Sequence, residues 1–276
     1  MNSLYNYNDK TLKVHLISDS TGETIQLALS ACMAQFPSVK SDIETWNFIN
    51  NSSKIKEVIK KIKLNPGFIM FSIVNEENKQ KLISFCHKEK LTYISLLDPV
   101  LNKLKTIFSI TQTGSAGSQY KLDKSYYSRI EALDYTMQHD DGNNLETLEN
   151  ADIILVGLSR TSKTPTSIFL ANKGYKVGNI PIVLNRDIPE ELKKLSGPKI
   201  VGLIYDPRYL SRIRQSRLET IGDFSGNIYS DIDTIRKEVQ HARHLFSINN
   251  WVIIDVTRRS VEETSASILQ LIEKND

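Results

Sequence analysis

The chain has 276 residues, 40% hydrophobic and 24% charged, a balance that excludes disordered, collagen-like and disulfide-scaffold classes and suits one large or about two ordinary domains. Its 35 Lys and Arg against 32 Asp and Glu leave a net charge of +3, too little for a diffuse polyanion-binding surface. Nucleic-acid and membrane-surface partners are therefore not expected, and any anion must be held by local geometry. Cys32 and Cys86 show no CxxC or metal-ligand spacing and read as small core residues. The five histidines show no metal-ligand spacing either, and no run of about 18 apolar residues is present to span a membrane. The first ten residues, MNSLYNYNDK, lack a secretory pattern, so the expected compartment is the cytoplasm.

Three segments share one order: a short apolar run, a hydroxyl-rich turn, then a helix-period pattern. The first is residues 14–18 followed by Asp19, Ser20, Thr21 and Gly22, with Ser20 and Glu23 at capping-box spacing before Ile25, Leu27, Leu29 and Cys32. Residues 54–63 place Ile55, Val58, Ile59 and Ile62 on one helical face with lysines opposite. Residues 68–74 read as a buried strand, 79–90 as a helix, and 93–97 as a strand ended by Asp98 and Pro99. Residues 111–118, rich in Gly and Ser without periodicity, are the expected linker between domains at 1–110 and 119–276. Residues 130–138 read as a helix, with His139 at its end and Asp140, Asp141 and Gly142 forming a turn. The second strand, turn and helix segment starts at 153, and the third starts at 251 with Ser260 and Glu263 as a further capping pair. Repeated units of this kind imply an α/β fold with a mainly parallel sheet.

The second turn carries the chemistry. Gly157, Lys163 and Thr164 fill three roles of the pattern GxxxxGK[ST]: a glycine leaving the strand, a lysine for the outer phosphates, and a hydroxyl for Mg²⁺. Ser162 replaces the second glycine, at a cost if that position needs a positive φ. Arg160 adds a cation able to grip a phosphate, and Thr164 is a candidate N-cap. Spacing alone also fits a hydroxyl-rich helix start with a surface lysine. Asp206 and Asp255 each follow an apolar run, where a carboxylate either serves metal and hydroxyl chemistry or caps the next helix. Arg208 and Arg212 stand one helical turn apart and can face a phosphate together, while the arginines around them, Arg214 and Arg217 included, also read as solvated.

Five ordered blocks together resemble the bifunctional regulatory proteins of pyruvate, phosphate dikinase and of phosphoenolpyruvate synthase. They are HLISDSTGET from His15, RIEALD from Arg129 leading to HDDG from His139, GLSRTSKTP from Gly157, DPR from Asp206 with its arginine-rich helix, and DVTRRSVEET from Asp255. Residues 161–164 and 19–22 are similar to the dikinase-regulating branch, in which a serine at position 162 is typical. The resemblance implies a P-loop-like C-terminal α/β kinase and phosphorylase domain, larger than the α/β domain before it. It implies a cytoplasmic enzyme that uses ADP to phosphorylate a threonine of the dikinase and inactivate it, leaving AMP. The same enzyme removes that group with inorganic phosphate and releases pyrophosphate. It carries nucleotide binding onto Gly157, Leu158, Ser159, Arg160, Thr161, Ser162, Lys163 and Thr164. Lys163, Arg160 and Asp206 are the expected catalytic residues, Thr164 the expected Mg²⁺ ligand, and a homodimer the expected assembly. The competing readings are a regulator of phosphoenolpyruvate synthase, an ATP-dependent kinase of a small metabolite, and a non-catalytic nucleotide sensor.

Overall fold

In the computed structural model, which describes residues 5–6, 11–118, 124–221 and 228–273, the first two of the three apolar runs become inner strands of two mainly parallel sheets. The chain divides into two units, Met1–Lys121 and Leu122–Asp276.

In the first unit the strands are β1 (Tyr5–Asn6), β2 (Thr11–Ser18), β3 (Lys40–Trp46), β4 (Phe68–Ser72) and β5 (Tyr93–Ser95). β2 pairs in parallel with both β3 and β4, β4 pairs with β5, and β1 adds a short antiparallel pairing at the start of β2. Helices α1 (Glu23–Met33), α2 (Ser52–Leu64), α3 (Glu76–Lys88) and α4 (Asp98–Phe108) follow β2, β3, β4 and β5 in turn. Ile55, Val58 and Ile62 of α2 are buried, as their spacing predicts, against Ile17, Ile69 and Phe71 of the sheet, while Ile25 and Leu29 of α1 join Val14, Leu16 and Met70.

Three local expectations change. Ser20 and Glu23 form no capping box, because α1 begins after Gly22, which holds the left-handed conformation (φ 80°) with no side-chain cap. Cys32 is exposed and only Cys86 is buried. Asp98 and Pro99 end no strand; they open α4, where a proline suits the first turn. Residues 111–118 lie in the first unit, and residues 115–118 line a cavity of about 310 Å³ together with residues 18–22.

His15 is fully buried in β2 and fully used as a neutral ring: Nε2–H donates to Asn65 O at 2.8 Å, and Nδ1 accepts from Trp46 Nε1–H at 3.2 Å. Burial holds its pKa below 6.5, against the opposing pull of Asn65 O, Glu44 and Asp42 and with help from Lys13. The unfolded chain therefore binds this proton more readily than the folded one, and stability falls as pH drops through about 6.5. Urea midpoints measured from pH 7.5 to 5 are expected to decrease, with a shallower slope in His15→Gln; equal slopes would place the acid sensitivity elsewhere.

The second unit begins with α5 (Lys124–Gln138) and continues through β6 (Ile153–Gly157), α6 (Lys163–Ala171), β7 (Val177–Pro181), α7 (Glu190–Lys194), β8 (Lys199–Ile204), α8 (Pro207–Ile221), α9 (Ile232–Ile248), β9 (Val252–Asp255) and α10 (Val261–Glu273). Its sheet has the order β7-β6-β8-β9, all parallel. β6 is buried on both faces: Ile154 and Val156 enter one core with Leu210 of α8, Ile153 and Leu155 the other with Leu170 of α6. Helices leaving β6 and β8 thus cover opposite faces, and a crevice opens between these strands at their C-terminal ends, where the strand order reverses. The expected Ser260 and Glu263 capping box closes the start of α10, with both reciprocal bonds formed. Among the described residues no helix is long and apolar enough to cross a membrane.

β7 is an edge strand whose outward row is Val177, Asn179 and Pro181. Val177 N–H donates to Thr136 Oγ1 at 3.0 Å, Asn179 N–H donates to His139 O at 2.9 Å, and Pro181 has no N–H. α5 and the turn after it therefore close this edge.

Candidate active site

β6 delivers Gly157 to the crevice, and the chain turns through residues 158–162 into α6. The glycine is needed for space: a Cβ there would lie 2.7 Å from Leu203 O and 2.9 Å from Thr161 Oγ1. Leu158 buries its side chain in the core, and its carbonyl accepts hydrogen bonds from Thr161 Oγ1 at 2.8 Å and Lys163 Nζ at 2.9 Å. Gly157, Leu158 and Thr161 thus shape the loop from within. Ser159, Arg160, Ser162, Lys163 and Thr164 line a cavity of about 500 Å³.

Arg160 and Ser162 both hold left-handed backbone, at φ 70° and 61°. The second position of the loop does require a positive φ, and Ser162 meets it without a capping bond from its side chain. Such a conformation costs a residue with a Cβ about 1–2 kcal/mol, partly offset by glycine's larger unfolded-state entropy. Ser162→Gly is expected to raise stability by about 0.5–1 kcal/mol in urea unfolding. A lower stability would show that the hydroxyl itself holds the loop.

Lys163, not Thr164, opens α6, so Thr164 is not the N-cap. Its hydroxyl instead donates to the carboxylate of Asp140, at 3.0 and 3.3 Å from the two oxygens. Asn179 Nδ2 donates to Asp140 Oδ1 and, at 3.0 Å, to Thr164 Oγ1. Asp140 stands in a single 3-10 turn, Asp140–Gly142, in which Asp141 is left-handed (φ 55°). His139 before it bridges Tyr135 O and Thr147 Oγ1, both at 2.7 Å, and stacks on the Tyr135 ring. Asp140, Asp141 and Asn179 line the same cavity as the loop between β6 and α6. In sequence the two aspartates read as turn residues. Their only advance signal is membership of the HDDG block.

Lys163 is 7% exposed. Burial pushes its ammonium down to about 8, against the pull of Asp141 and Asp140 and with a smaller contribution from Arg214. Arg214 itself is buried, contrary to the expectation of a solvated arginine. Its position one turn after buried Leu210 puts it on the inner face of α8. There it pairs with Glu238 at 2.8 Å and donates to Tyr229 O at 3.0 Å and Ser159 O at 3.4 Å. Ser159 Oγ also meets Tyr229 OH at 3.0 Å.

The structure does not bring Asp206 into this group. Its Oδ1 accepts from Arg208 N and Tyr209 N at the start of α8, a cap, and it is not among the cavity-lining residues. Asp255 is likewise bound to the backbone, through Thr257 N at 2.9 Å. Arg208 and Arg212 do not line the cavity.

The sequence has relatives across nearly the whole length of the chain. The profile of the kinase/pyrophosphorylase family matches residues 14–269. The chain belongs to the kinase/pyrophosphorylase family. A relative from Erythrobacter litoralis is 41% identical over 262 residues, covering 95% of this chain and 94% of its own. One from Agrobacterium fabrum is 42% identical over 259 residues, covering 94% and 95%. Both carry the name pyruvate, phosphate dikinase regulatory protein. A solved mitochondrial ornithine carbamoyltransferase from Coccidioides immitis aligns with 91% of this chain and 73% of its own, at 11% identity and a TM-score of 0.23, below the level of a shared fold. In this member of the family the loop combines a buried lysine, a hydroxyl held by a carboxylate, and an arginine on left-handed backbone around one cavity.

Proposed function

We propose that this protein regulates pyruvate, phosphate dikinase, phosphorylating one of its threonines with ADP and reversing the modification with inorganic phosphate. The observation that carries the reading is the convergence of Lys163 and Asp140 on one cavity in a chain of the kinase/pyrophosphorylase family. Cation and carboxylate are the two charges phosphoryl transfer requires, one for the phosphates and one for the attacking hydroxyl.

In the forward direction the loop holds the β-phosphate of ADP, with Lys163 and Arg160 balancing the charge that grows on the transferred group. The threonine oxygen forms a bond to the β-phosphorus as the bond from that phosphorus to the bridging oxygen breaks, and AMP leaves. Asp140 accepts the threonine proton. In reverse, an oxygen of inorganic hydrogen phosphate attacks the phosphothreonine, the bond to the threonine oxygen breaks, pyrophosphate forms, and Asp140 takes the proton of the attacking phosphate and passes it to the threonine oxygen. One anion pocket serves both reactions.

Thr164 Oγ1 and the Asp140 carboxylate, 3.0 Å apart at the cavity, are hard oxygen donors suited to Mg²⁺. These residues would hold the ion, which supplies charge neutralisation for the phosphates. The test incubates purified protein and dikinase with ADP or ATP, then with phosphate, and maps phosphothreonine by mass. Phosphate transfer from ADP and its phosphate-dependent loss with pyrophosphate release are expected. Transfer from ATP alone, or none to the dikinase, would overturn the reading.

A further inference from the structure

The C-terminal edge of the second sheet carries a basic surface that the phosphate cavity does not use. Tyr209 on α8 gathers two guanidinium groups: Arg212 lies over its ring at 5.7 Å and Arg258, from the loop after β9, at 4.9 Å. Arg258 Nε also donates to the Tyr209 hydroxyl. Arg208, Arg212 and Arg258 are all exposed, and among the described residues none forms a salt bridge. The acidic side chains that begin these loops accept from backbone N–H groups: Asp206 from Arg208 N and Tyr209 N, Asp255 from Thr257 N. Arg258 moreover holds left-handed backbone, φ 60°. Cations gathered on one ring against their mutual repulsion, one of them on strained backbone, differ from an ordinary solvated helix face, where charges alternate or spread.

Position says what this surface meets. β8 pairs with β6 on one side and β9 on the other, so the loop holding Arg258 is two strand spacings, roughly 10 Å, from the phosphate loop. α8 spans the interval, since Ile213 lines the phosphate cavity and Arg214 holds Ser159 O. We infer that Arg208, Arg212 and Arg258 dock a negatively charged segment of the acceptor protein, next to the residue that receives the phosphoryl group. The inference rests on the proposed protein acceptor. An extended chain rises about 3.3 Å per residue, so the anionic group sits roughly three residues from the acceptor, before the reach of the arginine side chains is added. The chain's net charge of only +3 makes this a local patch, fitted to a short anionic stretch and not to a long polyanion.

The test compares wild type with Arg212→Glu/Arg258→Glu and with Arg212→Lys/Arg258→Lys, using dikinase as acceptor. Dikinase binding, KM, kcat and ADP affinity are measured between 50 and roughly 300 mM salt, over which screening of exposed charges grows steeply. The glutamate pair is expected to raise the dikinase KM at least tenfold and flatten its salt dependence, with kcat and ADP affinity within twofold of wild type. The lysine pair, which keeps the charge, is expected to stay within threefold. An unchanged KM in the glutamate pair would overturn the docking surface and leave the function standing. A parallel fall in ADP affinity would overturn it too, by assigning these arginines to the nucleotide. Wild type that binds dikinase in a salt- and arginine-dependent manner without transferring phosphate would support the surface and sink the proposed activity.

Discussion

Lys163→Met is expected to lower both the ADP-dependent and the phosphate-dependent reaction by about 10³-fold or more, equivalent to about 4 kcal/mol of transition-state stabilisation, while leaving the protein at least as stable as wild type. The two halves of this result have one cause. Lys163 is a cation kept in a buried place, its pKa pushed down to about 8, and it is held by a carbonyl, Leu158 O, rather than by a carboxylate in direct contact. A depression from 10.5 to about 8 corresponds to roughly 3 kcal/mol of folding stability forgone at neutral pH. Methionine keeps most of the stem volume and removes the charge, so it relieves that cost without opening a large cavity. The sign of the pH effect follows. As pH rises through about 8 the free enzyme loses the lysine proton, and kcat/KM for ADP is expected to fall. Bound phosphates favour the charged lysine, so kcat should hold to higher pH than kcat/KM. Steady-state pH profiles and thermal unfolding check both halves. A variant retaining either reaction at the wild-type rate would break the single-pocket account.

Asp140→Asn is the second large effect, an expected loss of about 10²–10⁴ in kcat in both directions. Asparagine has the shape to keep a contact with the Thr164 hydroxyl, so the change removes the negative charge proposed to take up the threonine proton while sparing that contact. Measured without Mg²⁺, removal of an anion that faces phosphates is expected to leave ADP affinity unchanged or tighter. Because Asp140 also favours the charged form of Lys163, the alkaline limb of kcat/KM is expected to move to lower pH. Calorimetric ADP affinity and a pH profile separate this from collapse of the site, which would weaken binding as well. Wild-type kcat would remove Asp140 from the chemistry.

What could be read in advance follows the physics of each element. β4 and β6 are buried on both faces and appear in the sequence as unbroken apolar runs. β3 (Lys40–Trp46) could not be read that way, because most of its residues are exposed and its pairing with β2 is what makes it a strand. α4 was hidden by Asp98 and Pro99, a pair that ends strands and opens helices equally well. The loop between β6 and α6 was legible because its contacts are local: Leu158 O binds groups three and five residues on. The carboxylate was not. Asp140 is made part of the site by Thr164 and Asn179, respectively 24 and 39 residues away, while Asp206, better placed by strand-end logic, caps α8. Arg214 was missed for a related reason, since its place on the inner face of α8 is filled by a charge where the pattern calls for an apolar side chain.

The closure of the β7 edge ties catalysis to solubility. The segment that carries Asp140 is the one whose Thr136 hydroxyl and His139 carbonyl occupy the outward N–H groups of Val177 and Asn179. A molecule in which this segment lifts away has an open strand edge available to a second chain and, in the same event, loses the carboxylate proposed to take the threonine proton. Inactivation and self-association should therefore arise together, from a single local opening well short of global unfolding.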